Sequence, residues 1–231
     1  MAGTGLSGAG QVIGLGADMT DRAAVRRAIE DVVLAYGGID HVVVTAGYYP
    51  NPDEQGRVPD HEWARTFNIN VTGPYLVADE VWRVWQTQGI AGSLVITTSV
   101  NAVVPKAGSF AYDTSKAAAN HLVRELAVAF APLIRVNGVA PATVLEGSSM
   151  FPRDRVIASL VKYDVAHDTA QTTEALRDAL ALFYARRTLT GQPVTLASQV
   201  NAIMAFVTDD FSKTTGQIVT LDGGLAAAFL R

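Results

Sequence analysis

The chain has 231 residues, 49% of them hydrophobic and 17% charged, with a mean hydropathy of +0.20; this supports one sizeable core and excludes a disordered or fibrous chain. A formal charge of −4 and a pI near 5.5 provide no basic footprint for nucleic acid or an anionic membrane, so a small molecule is the expected partner. The absence of cysteine removes disulfides, thiolate metal sites and a cysteine nucleophile.

No linker divides the chain, so residues 1–231 are read as a single domain. Its first run, "GTGLSGAG" from Gly3 to Gly10, has the glycine content of a phosphate-cradling loop. Such a loop works when a strand delivers the glycines and a helix follows, aiming backbone N–H groups at the phosphate. Neither flanks this run, so a tail is expected there. "QVIGLGAD" (Gln11 to Asp18) predicts a strand, and "TDRAAVRRAIEDVVLAYGG" a helix with Thr20 or Asp21 as N-cap and a Gly-Gly stop. "IDHVVVTAG" predicts the second strand. "HEWARTFNINVTGPYLVADEVWRVWQTQ" then predicts a helix interrupted near Thr72, Gly73 and Pro74. "GSLVITTS" is the third strand, "AYDTSKAAANHLVRELAVAFAP" a long helix, "IRVNGVAP" the fourth strand and "GQIVTLDGG" the fifth. Between Glu146 and Pro193 the alternation breaks into two helical stretches, an expected helical lid over about 146–193. Strands alternating with helices predict an α/β fold: a doubly wound parallel sheet covered on both faces. No secretory leader and no apolar run near the roughly 18 residues of a membrane span are seen, so a cytoplasmic location is expected.

Ligands of open α/β sheets collect beyond the carboxyl ends of the strands. The third strand ends at Ser99, and thirteen positions on comes "YDTSK", which puts Tyr112 and Lys116 one helical turn apart on a common face. A phenol normally titrates near ~10, and a neighbouring ammonium stabilises the phenolate, so the pair predicts a Tyr112 acid/base whose pKa is lowered by Lys116. The pattern Y-x-x-x-K alone also occurs on ordinary helix surfaces; the strand-end Ser99 and the small residues after Lys116 are what single it out. Arg153, Arg155, Arg186 and Arg187 either clamp an anion or are solvated and paired with acids. His41, His61, His121 and His167 share no metal-ligand spacing.

With those residues in place the chain resembles a short-chain dehydrogenase/reductase from about Gln11 to Gly224. The resemblance implies a Rossmann-like sheet, an NAD(P)-dependent oxidoreductase, and a tetrad in which Tyr112 is the acid/base. Lys116 then holds the nicotinamide ribose and lowers the Tyr112 pKa, and Ser99 hydrogen-bonds the reacting oxygen. Asn70 kinks its helix and holds a water of the proton relay. It also implies cofactor contacts at Asp18 (adenine), at Ala46 and Gly47 beside the adenine ribose, and at Pro141 and Val144 near the carboxamide. Departures are Thr45, where the family usually has asparagine, and "APAT" for the usual Pro-Gly.

In the family's strand order the run Gln11 to Ala17 lies outermost, and the first two strands with their helices are missing, a gap of roughly 10 Å. A fragment of a longer polypeptide, closure of the first strand onto "HVVVT", or filling by another chain are the three ways to pair the exposed edges. The stretches "FPRDRVIASLVKYDV", "FYARRTLT" and "SKTTGQIVTLDGGLAAAFLR" resemble the dehydrogenase half of bifunctional rhamnulose-phosphate aldolase/lactaldehyde dehydrogenases. That resemblance implies NAD, with NADP left open, and a small hydroxy-aldehyde, alcohol or sugar-derived carbonyl as substrate. The family also implies a homo-oligomer, a dimer or tetramer, with the tail "LAAAFL" in its interface. The rival expectation is a truncated, non-catalytic module acting in assembly. An aldolase with Lys116 as Schiff base fits the Tyr and Ser partners less well.

Overall fold

The computed structural model describes residues 10–50, 52–53 and 55–229. Its sheet has four parallel strands in the order β1 (His41–Val44), β2 (Gly92–Thr97), β3 (Ile134–Pro141) and β4 (Ile218–Leu221). Parallel neighbours need crossovers, and the segments between strands supply them as helices. α1 (Arg22–Tyr36) starts where the Asp21 carboxylate accepts from the Ala23 N–H and stops at Gly37, whose φ of 84° suits glycine alone. α2 (Asp60–Phe67) and α3 (Gly73–Gln88) run almost end to end, and α4 is Phe110–Phe130. Beyond β3 come α5 (Arg153–Lys162), α6 (Thr173–Ala185) and α7 (Leu196–Val207).

Alternation along β2 explains the doubly covered sheet. Leu94 and Ile96 join Val81, Trp85, Val123 and Phe130 of α3 and α4 in one core, whereas Val95 turns the other way, to Ile203 and Phe206 of α7. A third apolar cluster, with Val156, Leu160, Leu176 and Leu180 fully buried, holds α5 and α6 together in the stretch where a helical lid is expected. α7, which the sequence analysis leaves unassigned, covers the second face. Its start is capped by Thr195, whose hydroxyl accepts from the Ser198 N–H.

The helix interruption lies slightly upstream of Thr72–Gly73–Pro74. It is a π-helical turn over Asn68–Thr72, after which Pro74 occupies the first turn of α3, where its missing N–H breaks no bond. Gly73 gives the Met19 side chain room: a Cβ there would lie 2.7 Å from it and make it shift.

The strand expected at Gln11–Ala17 does not form. That segment is extended and exposed, with Val12 and Leu15 at 55% and 45%, and β1 pairs with β2 alone. Its described tie to the fold is the Tyr36 hydroxyl, which donates to the Gln11 carbonyl at 2.6 Å. An apolar β-prone run becomes a strand only with a ladder to join. β1 takes no partner besides β2 among the described residues, so closure of the first run onto "HVVVT" is not what the chain adopts. Of the opening glycine run, residues 3–9 lie outside the described residues. Among the described residues no helix is long and apolar enough to cross a membrane.

Candidate active site

A cavity of about 460 Å³ opens at the carboxyl ends of β1, β2 and β3. Each strand brings its own residues to the wall: Ala46 and Gly47 after β1, Thr97 to Ser99 at the end of β2, and Pro141 to Val144 after β3. The first turns of α4 add Tyr112 and Lys116. Seven of the sequence-predicted residues therefore meet at one place: Ala46, Gly47, Ser99, Tyr112, Lys116, Pro141 and Val144.

Ser99 caps the 3₁₀ turn Val100–Ala102 by accepting from the Asn101 N–H at 3.2 Å, which leaves its own proton free for an oxygen in the cavity. Lys116 is 3% exposed, donates to the Thr97 carbonyl at 3.0 Å, and lies 5.7 Å from the Tyr112 ring centroid. Burial pushes the Lys116 ammonium down to about 8.

The expected lowering of the Tyr112 pKa by Lys116 is not found. Burial of the phenol is the dominant influence and pushes it up to about 12; the Ser99 hydroxyl and the Arg155 charge act in the opposite direction without prevailing. Lys116, whose ammonium donates to the Thr97 carbonyl, is not among the main influences on the phenol. In this site at neutral pH, Tyr112 carries its proton.

Asn70 is 1% exposed and stands behind the cavity wall. Its Oδ1 accepts from the Tyr48 N–H at 2.7 Å, and its Nδ2 donates to the Tyr48 carbonyl and to Ser115 Oγ, both at 2.9 Å. The helix irregularity expected at Asn70 is the π-helical turn that contains it. Its amide clamps the loop after β1 to α4, leaving one lone pair of Oδ1 for any water. Asp18 lies apart from these residues. It does not line the cavity, and its carboxylate accepts from the N–H and hydroxyl of Thr20, which hold it below the usual carboxylate range.

Sequence reasoning missed Tyr49, Asn101 and Lys106, which also border the cavity. The Tyr49 ring lies 4.8 Å from that of Tyr112, and Arg155 sits over Tyr49 with its guanidinium carbon 4.2 Å from the ring centroid. Tyr49 follows Gly47 by two residues, so the rule that ligands gather past strand ends was signal enough to find it. Of the four flagged arginines, Arg153 and Arg155 donate to backbone carbonyls rather than to acids. His41 bonds Ser93, and no cluster of metal-ligating side chains occurs among the described residues.

A short chain dehydrogenase profile matches residues 4–155. The chain belongs to that family. Among its relatives, the chain is 33% identical over 226 residues to "Uncharacterized oxidoreductase YuxG" of Bacillus subtilis, a match that covers 97% of the chain and 31% of YuxG. It is 36% identical over 135 residues to a glucose 1-dehydrogenase of Gluconobacter oxydans, covering 58% of the chain and 50% of that enzyme. The chain thus spans a third to a half of the length of these two relatives. The aldohexose dehydrogenase of Thermoplasma acidophilum superposes with a TM-score of 0.78 at 22% identity, over 95% of this chain and 80% of that one, and shows the same fold.

Proposed function

We propose that this site moves hydride between a nicotinamide dinucleotide and the hydroxyl- or carbonyl-bearing carbon of a small alcohol, hydroxy-aldehyde or sugar-derived substrate, lactaldehyde-like in size. The observation that carries the reading is the convergence of Tyr112, Ser99 and Lys116 on one cavity wall. A dinucleotide's nicotinamide and ribose fit the described residues. Gly47 leaves room beside the Lys116 ammonium, where a Cβ would lie 3.5 Å from Nζ, and Thr97 Oγ1 is buried there with no hydrogen-bond partner. Lys116 and Thr97 would hold the ribose, with Ala46, Gly47, Pro141 and Val144 around the ring. The pyrophosphate half has no such cradle: no described strand ends in a glycine-rich turn that opens directly into a helix. NAD follows from the resemblance to the bifunctional enzymes, with NADP open.

When bound, the nicotinamide ring supplies the hydride-accepting or hydride-donating carbon. Ser99 donates to the reacting oxygen and fixes its position. With its pKa near 12, Tyr112 is the proton donor to a carbonyl oxygen in the reduction direction. In the oxidation direction the same phenol must first lose its proton, so that rate rises with pH. Exposed Phe110 and Val128 on α4 support assembly with further copies, as the family resemblance implies.

Turnover of NADH or NADPH with small aldehydes and aldoses, followed by absorbance, tests the reading. Tyr112→Phe, which keeps the ring and removes the proton, should lose at least about a hundredfold in kcat. Unchanged turnover in that variant refutes the mechanism. A second reading, a non-catalytic module, draws support from the missing pyrophosphate cradle. It predicts no fluorescence change on titrating millimolar NADH into the chain, whereas the dehydrogenase reading predicts saturable binding.

A further inference from the structure

A second cavity, of about 370 Å³, lies beside the first and shares Asn101, Lys106, Ala142 and Thr143 with its wall. Val100, Val104, Ala181 and Leu225 make part of it apolar, and Tyr163 and Tyr184 pack edge to face in its wall with ring centroids 5.8 Å apart. Three cations from separate segments border this cavity. Lys106 comes from the loop between β2 and α4, Lys162 ends α5, and Arg187 follows α6.

Their placement is set by aromatic rings rather than by acids. Lys106 Nζ lies 6.0 Å from the Tyr184 ring centroid, Lys162 Nζ 5.7 Å from that of Tyr163, and the Arg187 guanidinium carbon 5.9 Å from that of Phe183. Among the described residues none of the three has a carboxylate at ion-pair distance. Asp113 is the acid nearest in effect to Lys106, and it accepts the Lys106 backbone N–H at 2.8 Å. Asp222 is the single carboxylate in the cavity wall, and its Oδ1 is taken by the Gly224 N–H. Burial acts to raise the Tyr163 phenol, but the Tyr184 hydrogen bond and the charges of Lys106, Lys162 and Arg187 together bring it below its ordinary value. All three cations therefore act on one point.

Three positive charges from separate segments against one negative, around a partly apolar cavity, suit an anion. Arg187 offers a planar fork and the two lysines offer point charges, a set that suits phosphate or carboxylate oxygens. Lys106 borders both cavities, so the anion would be one end of a molecule whose other end reaches Tyr112. We propose that this second cavity binds the anionic end of the substrate, a phosphate or a carboxylate, while the reacting carbon lies against Ser99 and Tyr112. The assignment of the reacting end rests on the hydride-transfer reading above; the anion site itself does not.

Calorimetric titration of the whole chain at low ionic strength with glycerol 3-phosphate, glycerate and glycerol tests it. At least one of the two anions is expected to bind tenfold or more tightly than glycerol, and which one does identifies phosphate or carboxylate. Lys162→Gln combined with Arg187→Gln, both exposed side chains whose replacement leaves the cores intact, should abolish that preference, and each single change should lose about threefold. Equal binding of all three compounds, or unchanged anion binding in the double variant with its thermal melt intact, overturns the proposal. Tyr112→Phe separates the two readings, because it should stop NADH-linked turnover and leave the anion preference unaltered. A wild-type chain that prefers the anion yet turns over no cofactor counts against hydride transfer alone.

Discussion

Replacing Lys116 by methionine should make this protein more stable at neutral pH while removing its activity. The ammonium is buried, and its pKa falls from 10.5 to about 8 on folding, which corresponds to a destabilisation on the order of 3 kcal/mol. Methionine matches the unbranched stem and needs no solvation. It forfeits the bond to the Thr97 carbonyl, worth about 1 kcal/mol, so the net gain is about 2 kcal/mol. In a chain of this size that raises Tm by roughly 4–8 °C. The pH dependence gives the effect its signature. Below pH 8 both folded and unfolded wild type hold the proton, and the full penalty is present. Between about 8 and 10.5 the unfolded chain holds the proton and the folded one does not, so wild-type stability rises with pH. The gap between variant and wild type should therefore be full at pH 7 and reverse above about 10.5, where only the lost Thr97 bond, about 1 kcal/mol, separates the two. Tyr112, raised to about 12 by burial, is present in both proteins and leaves the difference to Lys116. Urea unfolding at pH 7 and pH 10.5 measures it. A variant less stable than wild type at pH 7, or a gap that ignores pH, would refute the claim that burial of the ammonium dominates its energetics.

Asn70→Ala removes three buried hydrogen bonds and should destabilise the chain by about 3 kcal/mol; amide exchange at Tyr48 ought to accelerate with it, and an unchanged Tyr48 rate would contradict the clamp. Glu80 is held down at about 2, from an ordinary 4.5, first by Arg26 and then by Arg22. A folded-state pKa below the unfolded one stabilises above pH 4.5 and loses that contribution as pH falls toward 2. Discounted for the exposure of the arginines, the term is about 2 kcal/mol, and Glu80→Gln should flatten the acid limb of an unfolding curve by that amount. Gly92→Ala would set a Cβ 2.2 Å from the Asp40 carbonyl where β1 and β2 converge, and should cost about 3 kcal/mol in a denaturant titration.

Apolar runs at strand length and amphipathic runs at helix length are local properties, so β1 to β4, α1 and α4 to α6 were legible in the sequence. The spacing of Tyr112 and Lys116 was legible for the same reason, because one helical turn fixes which face both occupy. Pairing is not local. Gln11–Ala17 has the composition of a strand, but only the assembled sheet shows that it does not pair with the open edge of β1. Electrostatics is not local either: proximity in sequence predicts that Lys116 lowers the Tyr112 pKa, yet the depth of the site reverses the sign. The meeting of Lys106, Lys162 and Arg187 at one cavity depends on three crossovers and a lid. What the sequence by itself determined was where β1 to β4 and most of the helices lie and which side chains are candidates for chemistry. Which edges stay open, which charges are desolvated and which distant residues share a cavity were decided only in the folded chain, since each depends on contacts between segments far apart in the sequence.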